Sequence, residues 1–286
     1  MNSIILIGSS GFLGKHLLLK LQKEKYQIKC MIHTNGVENT LTFKGDLLSK
    51  ETFENKISDG DIVINAAGQL NHNFSNFIDV NIRGNYNLLD VCSSKKNVKL
   101  ILISSIDVYG QNLHHASKEV DKKLPLTSYG ITKSLVEDLF QYYTHIFNLD
   151  VTILRLSNLY GADKRTGIIS NIIESLNHGK QLSIFHNGNQ QRDFIFVDDA
   201  VSCMMNIIKK IPRGFNIFNL STGKRYSINE IILILENLTN KKLSTKLNST
   251  TPDEQCIWAD NSKINNFFNL TLQSNLELNL KKFKLN

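Results

Sequence analysis

Apolar residues gather in short unbroken runs that alternate with stretches where they recur every three or four positions. Ser3 to Ile7 is the first run, and Ile28 to Ile32, Asp61 to Asn65, Val98 to Ser104 and Val151 to Leu156 repeat its character. Runs this short and this uniformly apolar predict strands buried on both faces of a parallel sheet. Between them, Lys15 to Gln22, Phe77 to Val91 and Ser128 to Tyr143 carry helical spacing; the middle one is amphipathic and contains Asn81 and Gly84. Strand and helix in alternation predict an α/β fold built on a doubly wound parallel sheet. From Thr166 the pattern becomes mixed, which predicts a first domain over 1–165 and a smaller α/β, mostly substrate-binding region over 166–286. Ser227 with Glu230 forms a capping-box pattern that opens a further helix through Leu238.

Composition narrows the class. The 286 residues are 41% hydrophobic and 21% charged, ordinary globular values that exclude wholesale disorder. The formal charge is +7, from 33 basic and 26 acidic residues, but the lysines are scattered and never form a block longer than two. That describes a solvated basic surface that tolerates anionic ligands, and it argues against nucleic acid as a partner. Cys30, Cys92, Cys203 and Cys256 stand far apart, without the close pairs of a zinc site, and read as buried free thiols in a reducing compartment. No metal is expected. No apolar run approaches about 18 residues, and no basic segment precedes the first apolar stretch. The expectation is a protein of the cytoplasm without membrane span or signal peptide.

Candidate chemistry begins where the first strand ends. Gly8, Gly11 and Gly14, with Phe12 and Leu13 between them, give the spacing G-x-x-G-x-x-G between a strand and a helix. Backbone without Cβ is needed where a pyrophosphate approaches a helix N-terminus, whose unpaired N–H groups and dipole attract it. A Rossmann-type dinucleotide site follows. At the end of the second strand an acid would bind the adenosine ribose and repel a 2′-phosphate, but the chain has Ile32, His33, Thr34 and Asn35 there. The missing acid favours NADP(H), with NAD(H) possible; His33 either faces a phosphate or is a surface residue. Asp46, between Gly45 and Leu47, either accepts from an adenine amino group or caps a helix. Ala66, Ala67 and Gly68 are small enough to let the chain lie against a cofactor. In an open parallel sheet, ligands sit beyond the carboxyl ends of the strands, where Ser105 can hydrogen-bond a substrate oxygen. Tyr129 and Lys133, one helical turn apart, share a helix face, so the ammonium can stabilise the phenolate and make the phenol a usable acid or base. Tyr-x-x-x-Lys also arises by chance, and its weight comes from the serine and the glycines before it.

These residues resemble the extended short-chain dehydrogenase/reductase family of nucleotide-sugar epimerases, dehydratases and ketoreductases. The resemblance rests on GSSGFLG at 8–14, GDL at 45–47, NAAG at 65–68, NIRGNYNLL at 81–89, SSIDVYG at 104–110, YGITK at 129–133, RLSNLYG at 155–161 and QRDFIFVDDAV at 191–201. It implies Ser105, Tyr129 and Lys133 as the catalytic set, the lysine lowering the tyrosine pKa and touching the nicotinamide ribose. It also implies cofactor contacts along the glycine turn and at His33, Asp46, Leu47, Ala66, Ala67, Gly68 and Asn81. The substrate contacts it implies are Ser105, Asp107, Asn158, Arg192 and Asp253, although Arg192 and Asp193 could instead form a structural pair. Phe215 to Leu220 resembles a late strand that returns to the sheet, so about 215–240 would rejoin the first domain. Ile106 stands where dehydratases carry the first of two acids, which discounts dehydration and leaves Asp107 as a substrate or structural contact. The expected activity is NADPH-dependent reduction of a nucleotide-linked 4-keto-6-deoxy sugar for surface polysaccharides. An NAD-dependent nucleotide-sugar 4-epimerase is the alternative, and a non-catalytic dinucleotide sensor a third reading. The resemblance further implies a homodimer formed through the Phe77–Val91 and Tyr129 helices.

Overall fold

Four consecutive buried side chains, Ile4–Ile7 (β1), leave this strand no solvent face, and it takes the centre of a sheet. The computed structural model describes residues 3–33, 40–68, 77–248, 256–272 and 274–283. The sheet comprises β1, β2 (Ile28–Ile32), β3 (Leu41–Lys44), β4 (Ile62–Asn65), β5 (Lys99–Ser105) and β6 (Asp150–Leu156). Four short strands follow, β7 (Asn158–Tyr160), β8 (Leu182–Phe185), β9 (Gln191–Arg192) and β10 (Phe194–Phe196), and then β11 (Phe215–Leu220) rejoins the sheet. The order is β11-β6-β5-β4-β1-β2-β3. β1 pairs parallel with both β2 and β4, Ile4 lying opposite Ile28 on one side and Ile62 on the other. The strand order therefore reverses between β1 and β4, which opens a crevice at their carboxyl ends.

Two compact units divide the chain: residues 1–110, 122–155 and 201–218 make the first, and 111–121, 156–200 and 219–286 the second. In the first, α1 (Phe12–Lys23) follows the glycine turn and α3 (Ser128–Phe147) carries Tyr129 and Lys133. Thr127 caps α3 by accepting from Gly130 N at 3.0 Å, and Asn148 ends it in the left-handed conformation (φ 51°). The expected single helix over 77–91 is instead a π-helical turn, Phe77–Arg83, followed by α2 (Gly84–Ser93). The Asn85 side-chain amide donates to Asn81 O at 2.7 Å, taking the carbonyl that an α-helical turn offers to the backbone, and the turn widens there. Leu88, Leu89 and Cys92 of α2 share a buried cluster with Phe140 of α3 and with Val151 and Ile153 of β6.

The second unit is assembled from pieces. β7 pairs parallel with β10, and β9 lies between β12 (Tyr226–Ser227) and β14 (Cys256–Ile257), antiparallel to the first and parallel to the second. β13 (Thr245–Asn248) pairs with β8. Asp193, between β9 and β10, is fully buried and accepts from Thr222 N (3.0 Å), Thr222 Oγ1 (2.8 Å) and Gly223 N (3.0 Å). Burial pushes its carboxyl up to about 6 against the pull of those donors. α4 (Ile228–Thr239) opens with the expected capping box, Ser227 Oγ accepting from Glu230 N and Glu230 Oε2 accepting from Ser227 N at 2.7 Å. All four cysteines are free and buried. No helix among the described residues is long and apolar enough to cross a membrane.

Candidate active site

The glycine turn is built so tightly that two of its three glycines have no substitute. Gly8 sits at φ 83°, and a Cβ there would lie 2.6 Å from Ala67 N; one on Gly14 would lie 2.0 Å from Gly8 O. Gly11 is less confined, with Gly8 O at 3.3 Å from its would-be Cβ. It caps α1 without a side-chain hydrogen bond, no acid stands in the first turn, and Phe12 and Leu13 follow directly. An open helix N-terminus beside a backbone-lined cradle fits the pyrophosphate of a dinucleotide. A cavity of about 350 Å³ adjoins it, lined among others by Gly8, Met31, His33, Asp46, Leu47 and Ala67. The structure thus brings His33 and Asp46 to one wall, with His33 Nε2 3.5 Å from Asp46 Oδ2. Asp46, two residues beyond β3, thus stands beside the end of β2. Asp46 Oδ1 also accepts from Leu48 N at 2.9 Å, so the helix-cap reading gives way to a tight local turn.

Three successive residues of β5 each hold one residue of α3. Ile103 O accepts from Lys133 Nζ at 2.8 Å, Ser104 Oγ donates to Glu137 Oε1 at 2.6 Å, and the Ser105 hydroxyl hydrogen-bonds the Tyr129 phenol. Ser105 is the last residue of the strand and caps a 3-10 turn, Ile106–Tyr109, by accepting from Asp107 N at 3.2 Å. Lys133 Nζ lies 5.7 Å from the Tyr129 ring centroid. Gly68 borders the amine, its would-be Cβ 3.4 Å from Nζ, and Asn81 Oδ1 lies 3.8 Å from the same point. Asn81 Nδ2 donates to Thr132 Oγ1 at 3.2 Å. The Ala66–Gly68 loop, Asn81, Ser105, Tyr129 and Lys133 therefore converge within the first unit.

The electrostatics correct one expectation. The Tyr129 phenol is pushed up rather than down: burial is the largest cause, the Asp107 carboxylate adds to it, and the Ser105 hydrogen bond opposes both. Lys133, itself buried, is pushed down to about 8 by loss of solvent, and the Glu137 carboxylate works against that fall. The amine is directed to a strand carbonyl, so in the free chain its charge does not overcome the phenol's burial. Asp107 consequently stands close enough to Tyr129 to act on it electrostatically.

In the second unit Asn158 is exposed, and its N and Nδ2 donate to Asp193 O at 2.9 and 3.1 Å. Arg192 Nη1 donates to Gln191 O at 2.9 Å, while the Asp193 carboxylate is directed to Thr222 and Gly223. Asp253 lies outside the described residues. Among the described residues no group of three or more His, Cys, Asp or Glu side chains could hold a metal ion.

The periodicity of the chain leaves several supporting residues unmarked. Asn65 Oδ1 accepts from Ala67 N at 3.0 Å and Asn65 Nδ2 donates to Asn85 Oδ1 at 2.9 Å, which fixes the loop beside the cradle. Arg155 and Glu137 form a buried ion pair, with Arg155 Nη2 2.7 Å from Glu137 Oε2. Gly110 (φ 70°) closes a neck: Leu124 N donates to Val108 O at 3.0 Å, and a Cβ on Gly110 would lie 2.0 Å from Leu124 O. The available signal is a polar residue at a position where the apolar run or stripe expects a hydrophobic one, as at Asn65, Ser104, Glu137 and Arg155.

Comparison with known proteins agrees with this geometry. The model of the NAD dependent epimerase/dehydratase family matches residues 4–221. A UDP-glucuronate 4-epimerase of Thermodesulfobacterium geofontis is 34% identical over 209 residues, 72% of this chain and 64% of that protein, so the match spans just under two thirds of the relative. A putative UDP-glucose 4-epimerase of Methanocaldococcus jannaschii is 28% identical over 251 residues, 82% of this chain and 81% of the relative. The crystal structure of the Bacillus cereus UDP-glucuronic acid 4-epimerase with UDP-glucuronic acid and NAD superposes with a TM-score of 0.87 at 25% identity, covering 98% of this chain and 96% of that one. With the family model covering most of its length and a tyrosine, lysine and serine gathered beside a glycine cradle, the chain belongs to the NAD-dependent epimerase/dehydratase family.

Proposed function

We propose that the chain is an NAD-dependent nucleotide-sugar 4-epimerase. The observation that carries the reading is the convergence of Ser105, Tyr129 and Lys133 on the last residues of β5, in a chain whose relatives described above are UDP-sugar 4-epimerases. Those relatives favour the epimerase alternative over the 4-ketoreductase expectation. A dinucleotide held at Gly8, Gly11 and the Ala66–Gly68 loop would supply the hydride exchange at sugar C4. The chain handles the proton. Tyr129 Oη takes the C4 hydroxyl proton and later gives it back, Ser105 Oγ hydrogen-bonds the sugar oxygen in both states, and the Lys133 ammonium favours the phenolate once the site is occupied. Asn158 and Arg192 of the second unit are assigned to the nucleotide diphosphate, for which the guanidinium fork is suited.

Asp46 supports NAD over NADP. Its carboxylate lies 3.5 Å from His33, on the wall where a 2′-phosphate would have to lie, and repulsion there disfavours the phosphate. The exposed Ile131, Leu135, Tyr142 and Ile146 of α3 and Tyr86 of α2 form an uncovered apolar stripe that supports self-association through these two helices. Four free, buried thiols fit a reducing compartment such as the cytoplasm.

The test is to incubate the protein with UDP-glucuronate or UDP-glucose and NAD and to follow the 4-epimer by NMR. Epimer should accumulate without net NADH, and Tyr129→Phe should slow it by about 10²- to 10⁴-fold. Stoichiometric oxidation of NADPH by a 4-keto nucleotide sugar, with no epimer from either UDP-sugar, would replace this reading with the reductase.

A further inference from the structure

The catalytic reading uses Tyr129 and Lys133 but leaves a buried ionic cluster one turn further along the same helix unassigned. Glu137 is 1% exposed, and its carboxylate receives Ser104 Oγ at 2.6 Å, Arg155 Nε at 3.1 Å and Arg155 Nη2 at 2.7 Å. Lys123 Nζ stands 3.8 Å away on the other side and also pairs with Asp138. The Arg155 guanidinium is itself nearly buried and lies over the Tyr109 ring, 4.6 Å from its centroid. Burial works against the Arg155 charge, but the Glu137 carboxylate outweighs it and holds the pKa above its ordinary value.

A buried ion pair is weak evidence for stability, because desolvation consumes most of the Coulombic gain. The position of this one suggests another role. Tyr129, Lys133 and Glu137 succeed one another at intervals of four along α3, so they lie along one face of the helix. Their three partners are the consecutive residues Ser105, Ile103 and Ser104 of β5. Glu137 is thus bonded to the strand between the residue that holds the amine and the residue that holds the phenol. We propose that Glu137 is a positioning residue for the reaction: held by Arg155 and Ser104, its carboxylate keeps Lys133 charged and seated on the Ile103 carbonyl, so that the amine can act on Tyr129.

The proposal rests on the epimerase reading for its consequence and on geometry for its substance. Of the charged groups nearby, Glu137 on α3 acts on Lys133, Arg155 of β6 and Lys123 from the segment before α3 pair with Glu137, and Asp107 of the 3-10 turn acts on Tyr129. Among them Glu137 is the group that raises the Lys133 pKa, against a burial that pulls it down to about 8. With that carboxylate present about half of Lys133 is charged at pH 8, and without it most would be neutral.

The test titrates Lys133 directly, by NMR of isotope-labelled lysine with the resonance assigned through Lys133→Met. In Glu137→Gln the midpoint should fall by about one pH unit, and in Glu137→Asp it should stay near the wild-type value. If the single variant fails to fold, Glu137→Gln/Arg155→Met removes the stranded guanidinium and carries the same measurement, because the carboxylate is the group acting on Lys133. The alkaline limb of the epimerase pH profile should move down with the midpoint, lowering kcat about fivefold at pH 8 while KM for the UDP-sugar holds. A wild-type Lys133 midpoint in either folded variant overturns the proposal, as does lost activity with an unmoved alkaline limb. The titration needs no substrate, so a shifted midpoint in a protein that forms no epimer would count against the epimerase reading alone.

Discussion

Lys133 meets two opposed requirements at one atom. It must carry charge to favour a phenolate, yet it is 4% exposed and its pKa sits near 8 against an ordinary 10.5. Between those two values the unfolded chain binds a proton that the folded chain does not, so stability rises with pH across the window. Below about pH 8 both states are protonated and the full cost of the buried charge is present, about 3 kcal/mol from the size of the shift. Lys133→Met abolishes that dependence. Thermal melts of the two proteins between pH 7 and pH 10.5 should show the variant gaining most on the wild type at the acid end, the difference shrinking as pH rises; parallel curves would contradict it. At this scale the sequence was partly legible. The four-residue interval from Tyr129 to Lys133 and the small residues at 66–68 declared themselves by spacing and size. The Asp46 carboxylate did not declare its place beside His33, because two strands apart in sequence become neighbours only through the β2–β3 pairing. The rise in the Tyr129 pKa was equally hidden, since it depends on burial and on Asp107.

Elements were legible where local chemistry and periodicity agreed. The capping box at Ser227 and Glu230 is an example: its residues satisfy each other within one turn, so no tertiary context is needed to see it. Ser227→Ala should cost about 1 kcal/mol of stability and leave the Lys133 titration untouched, which a denaturant melt would check. The strand assigned over 98–104 is in place within one residue, but that residue matters, because it makes Ser105 the end of β5 rather than the start of a loop. The helix expected over 77–91 failed for a physical reason. An asparagine side chain competing for a carbonyl widens the turn, and periodicity counts only apolar positions.

For the whole molecule, alternating strands and helices predicted the doubly wound sheet, and the strand order bears it out. The stripe of Ile131, Leu135, Tyr142 and Ile146 belongs to this scale, because these side chains are exposed in the single chain and the proposed self-association would cover them. Light scattering should give twice the mass of one chain, and Leu135→Asp with Ile146→Asp should give the single-chain mass with the epimerase reaction retained; an unchanged mass in the double variant would remove α3 from the contact. The neck at Gly110 has a separate consequence. The chain departs after Gly110 and is back by Leu124, and the opening is tied shut by the Val108 carbonyl and sealed against any side chain at residue 110. What lies between is woven into the second unit, Asn112 N donating to Cys256 O at 2.9 Å and Ser117 N to Trp258 O at 3.1 Å, so a change in its length would be felt there while the serine upstream of the knot and the tyrosine downstream of it keep their places.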